Sequence, residues 1–525
     1  MKNNKKANKI QLNKEEKVAL LEQEVVLLKA KVSWYEEQLK INNQKRFGIS
    51  SEKTNPDQLS FFNEAELDSN IKEKEPEIEE ITYKRKKKDK KTFEENYGNL
   101  AVERIEYDIS EEEKICPECN NELHQMAIEI TRTIKIILAE AVIVENVKKI
   151  YSCRHCEANN ISTPIIKAKA PNPVIKGSHA SPSIIAYAMD KKYTSAMPLY
   201  RQEKEFSNFG INISRQTLSN WIIRSSNDWL TPIYNRLHEY LVKEKYLHAN
   251  ETTLQVLKED GRKATNKSYM WLYTTTKYGK PIVLYDYRTT RANKHPKKFL
   301  EEFKGYLQTD AYAGYNNIPD VTIAGCFAHA RRYFKESLTA VPDETSLTHL
   351  SATKGLGFCN ALFKVERKIK DLSPEDRYGK RLEESKPIID EFSDWLKITK
   401  RQALPKSSFG KAIGYTLNQW TKLKMFLEDG HIEIDNNRAE RAIRPFVIGR
   451  KNFLFSNTPK GATASATIYS IVETAKANNL NPYYYLKHLF EQMPNIDISD
   501  QEEIDKLLPW SESIPNKCKI PNANK

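Results

Sequence analysis

"YLHANETTLQVL", residues 246–257, sets an apolar start against a polar cluster, Asn250-Glu251-Thr252-Thr253. Tyr246 to Ala249 reads as a strand that stops at Asn250, so an amide and a carboxylate stand side by side at its end. Two more strands follow, "YMWLYTTT" from Tyr269 and "PIVLYDYRTT" from Pro281, separated by the turn-rich "EDGRKATNK" and "KYGK". Together the three make an antiparallel meander. After a helix, "KHPKKFLEEF", the strand Tyr306 to Thr309 runs into Asp310, and a further strand, "VTIAG", passes into the helix "CFAHARRYFKES".

Antiparallel strands followed by strands that alternate with helices give the order of a ribonuclease H-like α/β core. In that architecture the first and fourth strands are neighbours, which puts Asn250 beside Asp310. Two carboxylates at adjacent strand ends, with a third from a later helix, hold two divalent cations about 3.5 to 4 Å apart. Mg²⁺ prefers hard, charged oxygen ligands, so this chemistry asks for Asp at position 250, where the chain has Asn. Glu251 is expected to point away from Asp310, because successive strand residues face opposite sides of a sheet.

The third acid is expected beyond a helical insertion of about 337–426, in "DGHIEIDNNRAERAIRPFVIGRKNFLFS". Asp435, Asn436 or Asn437 can cap a helix that carries Glu440, Arg441 and Arg444. Glu440 lies one turn from Arg444, so a surface ion pair is the plainer role for it. An acid among Arg441, Arg444, Arg450 and Lys451 also suits a site that grips DNA phosphates beside bound metal.

Upstream, residues 165–240 read as helical. Gly210 fits the turn between two helices and Ser214 caps the second, which turns Arg215, Gln216, Ser219 and Asn220 outward and Leu218, Trp221 and Ile222 inward. That is the pattern of a helix-turn-helix offering polar groups to base edges, though such pairs also occur as packing units. Within 99–164, "CPEC" (Cys116, Cys119) and "CRHC" (Cys153, Cys156) flank a β-rich stretch. Two such knuckles close a tetrahedral structural Zn²⁺ site, a zinc ribbon. Residues 56–98 form a charged linker with the basic run "KRKKKDKK". Within 1–55, Val18, Leu21, Val25, Leu28, Val32, Tyr35 and Leu39 follow a heptad seam, so a coiled coil over about 14–42 and a homo-oligomer are expected. The core spans 241–460, and a helical segment, 461–525, packs against it.

The 525 residues exceed what one hydrophobic core holds, and the multidomain α+β organisation above follows. A formal net charge of +13 favours a polyanionic partner such as DNA. No stretch approaches the roughly 20 apolar residues of a membrane helix, and the basic start lacks the apolar core of a signal peptide, so a cytoplasmic location is expected. The seven cysteines fall mostly into the two tight pairs, which points to metal rather than disulfides.

With these motifs collected, the chain resembles transposases of the insertion-sequence 66 family, in the DDE superfamily. The resemblance runs nearly end to end, through "KRFGISSEK", the two knuckles, "MPLYRQE", "SRQTLSNW", "HANETTLQVL", "YLQTDAYAGY", "CFAHARR", "IDNNRAERAIRP", "GRKNFLF" and "YSIVETAKANNLNPYYYL". It implies an enzyme that binds the terminal inverted repeats of an insertion sequence, cleaves DNA strands and joins them to double-stranded target DNA with Mg²⁺ or Mn²⁺. Accessory proteins of the same element are implied as partners. The family's catalytic acids fall on Asn250, Asp310 and Glu440. The family pattern at the first is His-Ala-Asp-Glu-Thr, whereas this chain has His248-Ala249-Asn250-Glu251-Thr252. That departure implies an impaired copy, and with it the alternative of a protein that only binds DNA or represses an active copy. A ribonuclease H-type repair nuclease fits the zipper and ribbon less well. Cys326 and His329 resemble a pair that several transposases carry after the second Asp. The pair would order the site or contact the DNA, and a buried Cys with a helix-surface His is an equal reading.

Overall fold

The computed structural model describes residues 141–152, 165–340 and 347–521, together with Val32 in a helix. Apart from Val32, the coiled-coil stretch lies outside the described residues, as do the charged linker and Cys116, Cys119, Cys153 and Cys156. A short ribbon pairs β1 (Ile150–Ser152) with β2 (Ile165–Lys167) antiparallel. Four helices follow: α1 (Pro182–Tyr193), α2 (Leu199–Asn208), α3 (Arg215–Ser225) and α4 (Thr231–Leu241).

The fold is α+β, built on a mixed five-stranded sheet. Its strands are β3 (Tyr246–Gln255), β4 (Lys267–Thr275), β5 (Val283–Arg288), β6 (Gly305–Gln308) and β7 (Val321–Ala324), in the order β5-β4-β3-β6-β7. β3, β4 and β5 run antiparallel to their neighbours; β6 lies parallel to β3, and β7 parallel to β6. β4 reads as a continuous apolar run because both of its faces are covered, and Met270, Trp271, Leu272 and Tyr273 are all fully buried. Gly305 opens β6 where a Cβ would meet the Lys245 carbonyl at 2.2 Å, so only glycine lets this backbone approach β3 so closely.

The first strand does not stop at Asn250. The β3–β4 ladder continues through Asn250↔Leu272 and Thr252↔Met270 to Gln255↔Lys267. The polar cluster has the composition of a loop, but β4 satisfies its backbone groups, and β-branched Thr252 and Thr253 suit an extended chain. A six-residue helix, α5 (Lys294–Phe299), leads into β6, and a single 3₁₀ turn, Ala313–Tyr315, separates β6 from β7.

β7 feeds α6 (Phe327–Ala340), and helices fill the stretch that follows: α7 (Leu347–Lys368), α8 (Pro374–Lys380), α9 (Lys386–Lys400), α10 (Ser408–Asn418) and α11 (Trp420–Leu423). They enclose a second hydrophobic core, which takes Phe334 from α6, Leu362 from α7, Phe392 from α9 and Phe409 from α10. Arg381 is buried within it. Its Nε and Nη2 donate to Glu366 at 2.7 Å each, and Nη1 donates to the carbonyls of Phe426 (2.7 Å) and Asp429 (3.1 Å). A buried guanidinium is tolerated only when its donors are met in this way, and the bonds fix the return segment that leads back to the sheet.

That segment opens α12 (Asn437–Phe453), which packs on β3 and β4. α13 (Pro459–Ala477) then covers the edge strand β5, where Thr474 Oγ1 accepts from Val283 N at 3.0 Å and Ser470 Oγ from Tyr285 N at 2.8 Å. Side-chain hydroxyls thereby occupy the outward amides that an edge strand otherwise leaves open to another chain. α14 (Pro482–Gln492) and α15 (Gln501–Asp505) complete the main core, in which Tyr485, Leu489 and Ile504 are buried.

Candidate active site

The β3–β6 register runs from Tyr246↔Tyr306 to His248↔Gln308. Asn250 lies two residues past the last of these pairs on β3, and Asp310 lies two residues past the end of β6. Asp310 turns out of the sheet, and its Oδ1 accepts from Tyr312 N at 2.8 Å. Asn250 Oδ1 accepts from Glu251 N at 2.8 Å, which ties the amide oxygen to its own backbone.

α12 reaches this sheet end through Asn436, which is 1% exposed. Asn436 Nδ2 donates to the Ala249 carbonyl at 2.8 Å, Oδ1 accepts from His248 Nδ1 at 2.9 Å, and the backbone N–H donates to Cys326 Sγ at 3.2 Å. This one residue ties β3, the start of α6 and the start of α12 together. Of the three candidate caps, Asp435 accepts the Asn437 N–H at 3.0 Å, which frees the Asn436 side chain for its cross-chain bonds.

Glu440 stands in the first turn of α12, where the helix N-terminus favours an anion. Its Oε1 lies 3.9 Å from His329 Nε2, and the ligand atoms of Cys326, His329 and Glu440 all fall within 4.8 Å of one another. Asp310 is near enough to act on its surroundings. Burial lowers His329 and Lys422, and the Asp310 charge opposes both shifts. Burial pushes the Cys326 thiol up to about 12, so the sulfur is a neutral acceptor in the absence of metal.

Glu440 Oε1 and His329 Nδ1 are both buried with no hydrogen-bond partner. Buried polar atoms are seldom left so, and a carboxylate oxygen beside an imidazole is a donor set that suits a divalent cation. Glu440 is the hard oxygen that the implied Mg²⁺ asks for, whereas the imidazole and thiol beside it suit softer divalent cations.

Glu251 does not replace the missing acid. Its side chain is 2% exposed; Oε1 accepts from Arg291 Nε at 2.9 Å and from Arg291 Nη2, and Oε2 accepts from Tyr315 Oη at 2.5 Å. Burial first, then the Asp310 charge, raise this carboxyl above the usual range. Both of its oxygens are thus already bonded, yet the carboxyl lies close enough to feel Asp310, whereas strand alternation alone would turn it away.

Among the expected DNA-contacting residues, Arg215, Gln216 and Asn220 are exposed and Ser219 is half-buried, while Leu218 and Ile222 face the core. Ser214 Oγ accepts from Thr217 N at 3.2 Å, the cap read from the sequence, and Gly210 takes φ +76° in the turn. Gln216 Nε2 donates to Asn220 Oδ1 at 3.1 Å, one turn on. On α12, Arg441, Arg444 and Lys451 are exposed. Arg450 is turned inward: its Nη1 donates to Thr252 Oγ1 (3.0 Å), Thr253 Oγ1 (3.1 Å) and the Thr253 carbonyl, and burial lowers its pKa. It braces the far half of β3 rather than facing outward.

Burial also pushes the His248 imidazole below its usual value, against the pull of Glu433 Oε2 at 4.0 Å. Because Asn436 Nδ2 is spent on Ala249, its Oδ1 must accept, which places the His248 proton on Nδ1. The folded chain keeps His248 neutral, while the unfolded chain gains a proton near pH ~6.5. This contribution to stability is present in full above that pH and is lost as the pH falls below it. The melting temperature should therefore drop on acidification. His248→Gln should remove part of the slope, the rest coming from His295, His329 and His488, which burial also lowers. Identical slopes in the variant and the parent would show that His248 plays no part.

The sequence matches four family models. One described as the Transposase IS66 family covers residues 177–464, and the IS66 C-terminal element covers 470–510. The zinc-finger binding domain of transposase IS66 covers 113–157, a span that holds all four knuckle cysteines, and the transposase C of IS166 homeodomain covers 34–105. The uncharacterized protein y4jD of Sinorhizobium fredii (strain NBRC 101917 / NGR234) is 30% identical over 434 residues, 79% of this chain and 82% of its own length. The uncharacterized protein y4hP of the same strain is 27% identical over 404 residues, 74% of this chain and 71% of its own. The matches define a transposase, with DNA as its partner. The chain belongs to the IS66 family of transposases. Among the described residues, no helix is long and apolar enough to cross a membrane.

Proposed function

We propose that this chain binds the ends of an insertion sequence and carries out metal-dependent cleavage and joining of DNA strands at a ribonuclease H-like site formed by Asn250, Asp310 and Glu440. The observation that carries the reading is the meeting of three distant segments around Asn436, with Glu440 Oε1 left buried and unpartnered beside His329. Three antiparallel strands extended by two parallel ones, β5-β4-β3-β6-β7, support the ribonuclease H-like assignment.

Asp310 and Glu440 would hold the cation, Mg²⁺ or Mn²⁺, with His329 and the Asn250 amide at its margin. When bound, such a cation supplies Lewis acidity to a phosphoryl oxygen and to the attacking hydroxyl. The protein's own part is to position these groups. Asp310 brings negative charge to the end of β6, α12 presents Glu440 from its N-terminal turn, and the exposed Arg441 and Arg444 offer charge to DNA phosphates. In the same reading, Arg215, Gln216 and Asn220 meet DNA from α3, the four knuckle cysteines hold structural Zn²⁺, and the heptad seam pairs protomers.

Asn250 favours a second reading, a copy that occupies element ends without cutting them. The two are separated by a gel shift on the DNA flanking the gene, run beside a nicking assay in Mg²⁺ and in Mn²⁺. Binding with metal-dependent nicking that disappears in Glu440→Gln supports the transposase. Binding with no nicking in either metal selects the DNA-binding protein.

A further inference from the structure

Where α12 ends, the chain makes a tight turn at Phe453-Leu454-Phe455. Leu454 adopts φ +68° and ψ −52°, and Phe455 N donates to the Phe453 carbonyl at 2.9 Å, a positive-φ γ-turn that a bulky residue rarely takes. Leu454 is 67% exposed and Phe455 is 45% exposed. A single exposed apolar residue is ordinary, but two large ones in succession on strained backbone call for a reason.

The turn is held rigidly on both sides. Before it, Arg450 is fastened to Thr252 and Thr253, the Phe453 ring lies under Lys192 Nζ at 4.6 Å, and Asn452 Nδ2 donates to the Ala196 carbonyl at 3.2 Å. After it, Ser456 N donates to the Gln255 carbonyl at 2.9 Å and Leu257 N to the Ser456 carbonyl at 3.0 Å. The tip is thus fixed to the far end of the strand that carries Asn250, and it does not fold back onto the core. Its neighbours in the chain are basic: Lys451 and Lys460, on either side of the tip, are exposed, and residues 441–460 contain no Asp or Glu. This charge selects a polyanion as the occupant, and duplex DNA offers both phosphates for the cations and stacked bases for the apolar tip.

We propose that Leu454 and Phe455 form a wedge that enters the base stack of bound duplex DNA and opens one step. At ~1.5 Å of rise per residue, the tip lies about 20 Å along α12 from Glu440; for a duplex laid along α12, that is roughly six base pairs at ~3.4 Å each. The inference rests on the transposase reading above and adds to it a place where the DNA is deformed. An opened step makes a helical duplex easier to bend toward the site, and sequences that unstack easily would be favoured there.

The test uses the full chain and duplexes of the element end in which 2-aminopurine is moved one position at a time through the region flanking the scissile bond. The wild type should give a several-fold fluorescence rise at one step about six base pairs away, at the distance the α12 rise sets. Leu454→Asn combined with Phe455→Ser should lose that rise while still shifting the DNA in a gel, since the bonds that hold the chain on both sides of the turn do not involve these side chains. An unchanged melting temperature shows that the variant is folded. Shifting by the wild type with no fluorescence rise at any position overturns the wedge and leaves the transposase reading standing. A rise that persists in the variant overturns it too, as does a variant whose only change is a smaller oligomer, since the tip then meets another copy of the chain. Failure of the wild type to shift element-end DNA removes both the DNA reading and the wedge.

Discussion

Asn250→Asp should raise Mg²⁺-dependent strand cleavage by about tenfold or more, because it returns a charged oxygen ligand to a position where the chain now offers a neutral amide. Asn250 Oδ1 is already bonded to Glu251 N, and the neighbouring carboxylate is held by Arg291 and Tyr315, so neither side chain offers a free charged oxygen. The variant should also carry a signature independent of catalysis. In the proposed site position 250 lies beside Asp310, and two carboxylates at one site repel unless a cation lies between them. Without metal, Asn250→Asp should therefore melt at a lower temperature than the parent, and added Mg²⁺ or Mn²⁺ should raise its melting temperature more than the parent's. Equal cleavage and equal metal-dependent stabilisation in the two proteins would remove position 250 from the metal site.

Asn436→Ala should cost about 2–4 kcal/mol of stability, because it strands two buried groups, the His248 Nδ1–H and the Ala249 carbonyl, each at about 1–3 kcal/mol. Loss of packing alone would not single out these groups, so a second variant, Asn436→Asp, separates the effects. It keeps an acceptor for His248 and loses the donor to Ala249, and it should fall between the parent and the alanine form. The denaturant midpoint is the measurement, read at constant slope so that the compactness of the unfolded chain is not the cause. In the Asn250→Asp background, Asn436→Ala should also depress cleavage, because α12 loses its tie to β3 and Glu440 its fixed placement. An unchanged midpoint would show that α12 is seated by its apolar face, Ala439, Ile443 and Phe446, and not by this amide.

The sheet was legible in the sequence because strand patterning is local. "YMWLYTTT" and "VTIAG" announce themselves by composition, and Ser214 and Gly210 mark the ends of their helices by chemistry that needs no distant partner. The end of β3 was misread because Glu251, Thr252 and Thr253 have polar side chains, whereas their backbone pairing depends on a strand still to come. Arg450 looked like one more phosphate-facing cation in a basic run. Its inward role depends on threonines far back in the chain, and the side chains give no sign of it. Asn436 is the clearest case: a cap residue by type, it instead bonds His248, 188 positions away, and no local pattern encodes that pairing. His329 was visible as a residue, but its closeness to Glu440 came only with the docking of α6 against α12.

The second core sits between the strand that follows Asp310 and the helix that carries Glu440, and Arg381 locks its exit to Phe426 and Asp429. A nascent copy emerging from the ribosome thus displays two corners of the site long before the last one can arrive. On the proposed site, strand cleavage has to wait until that inserted block has compacted.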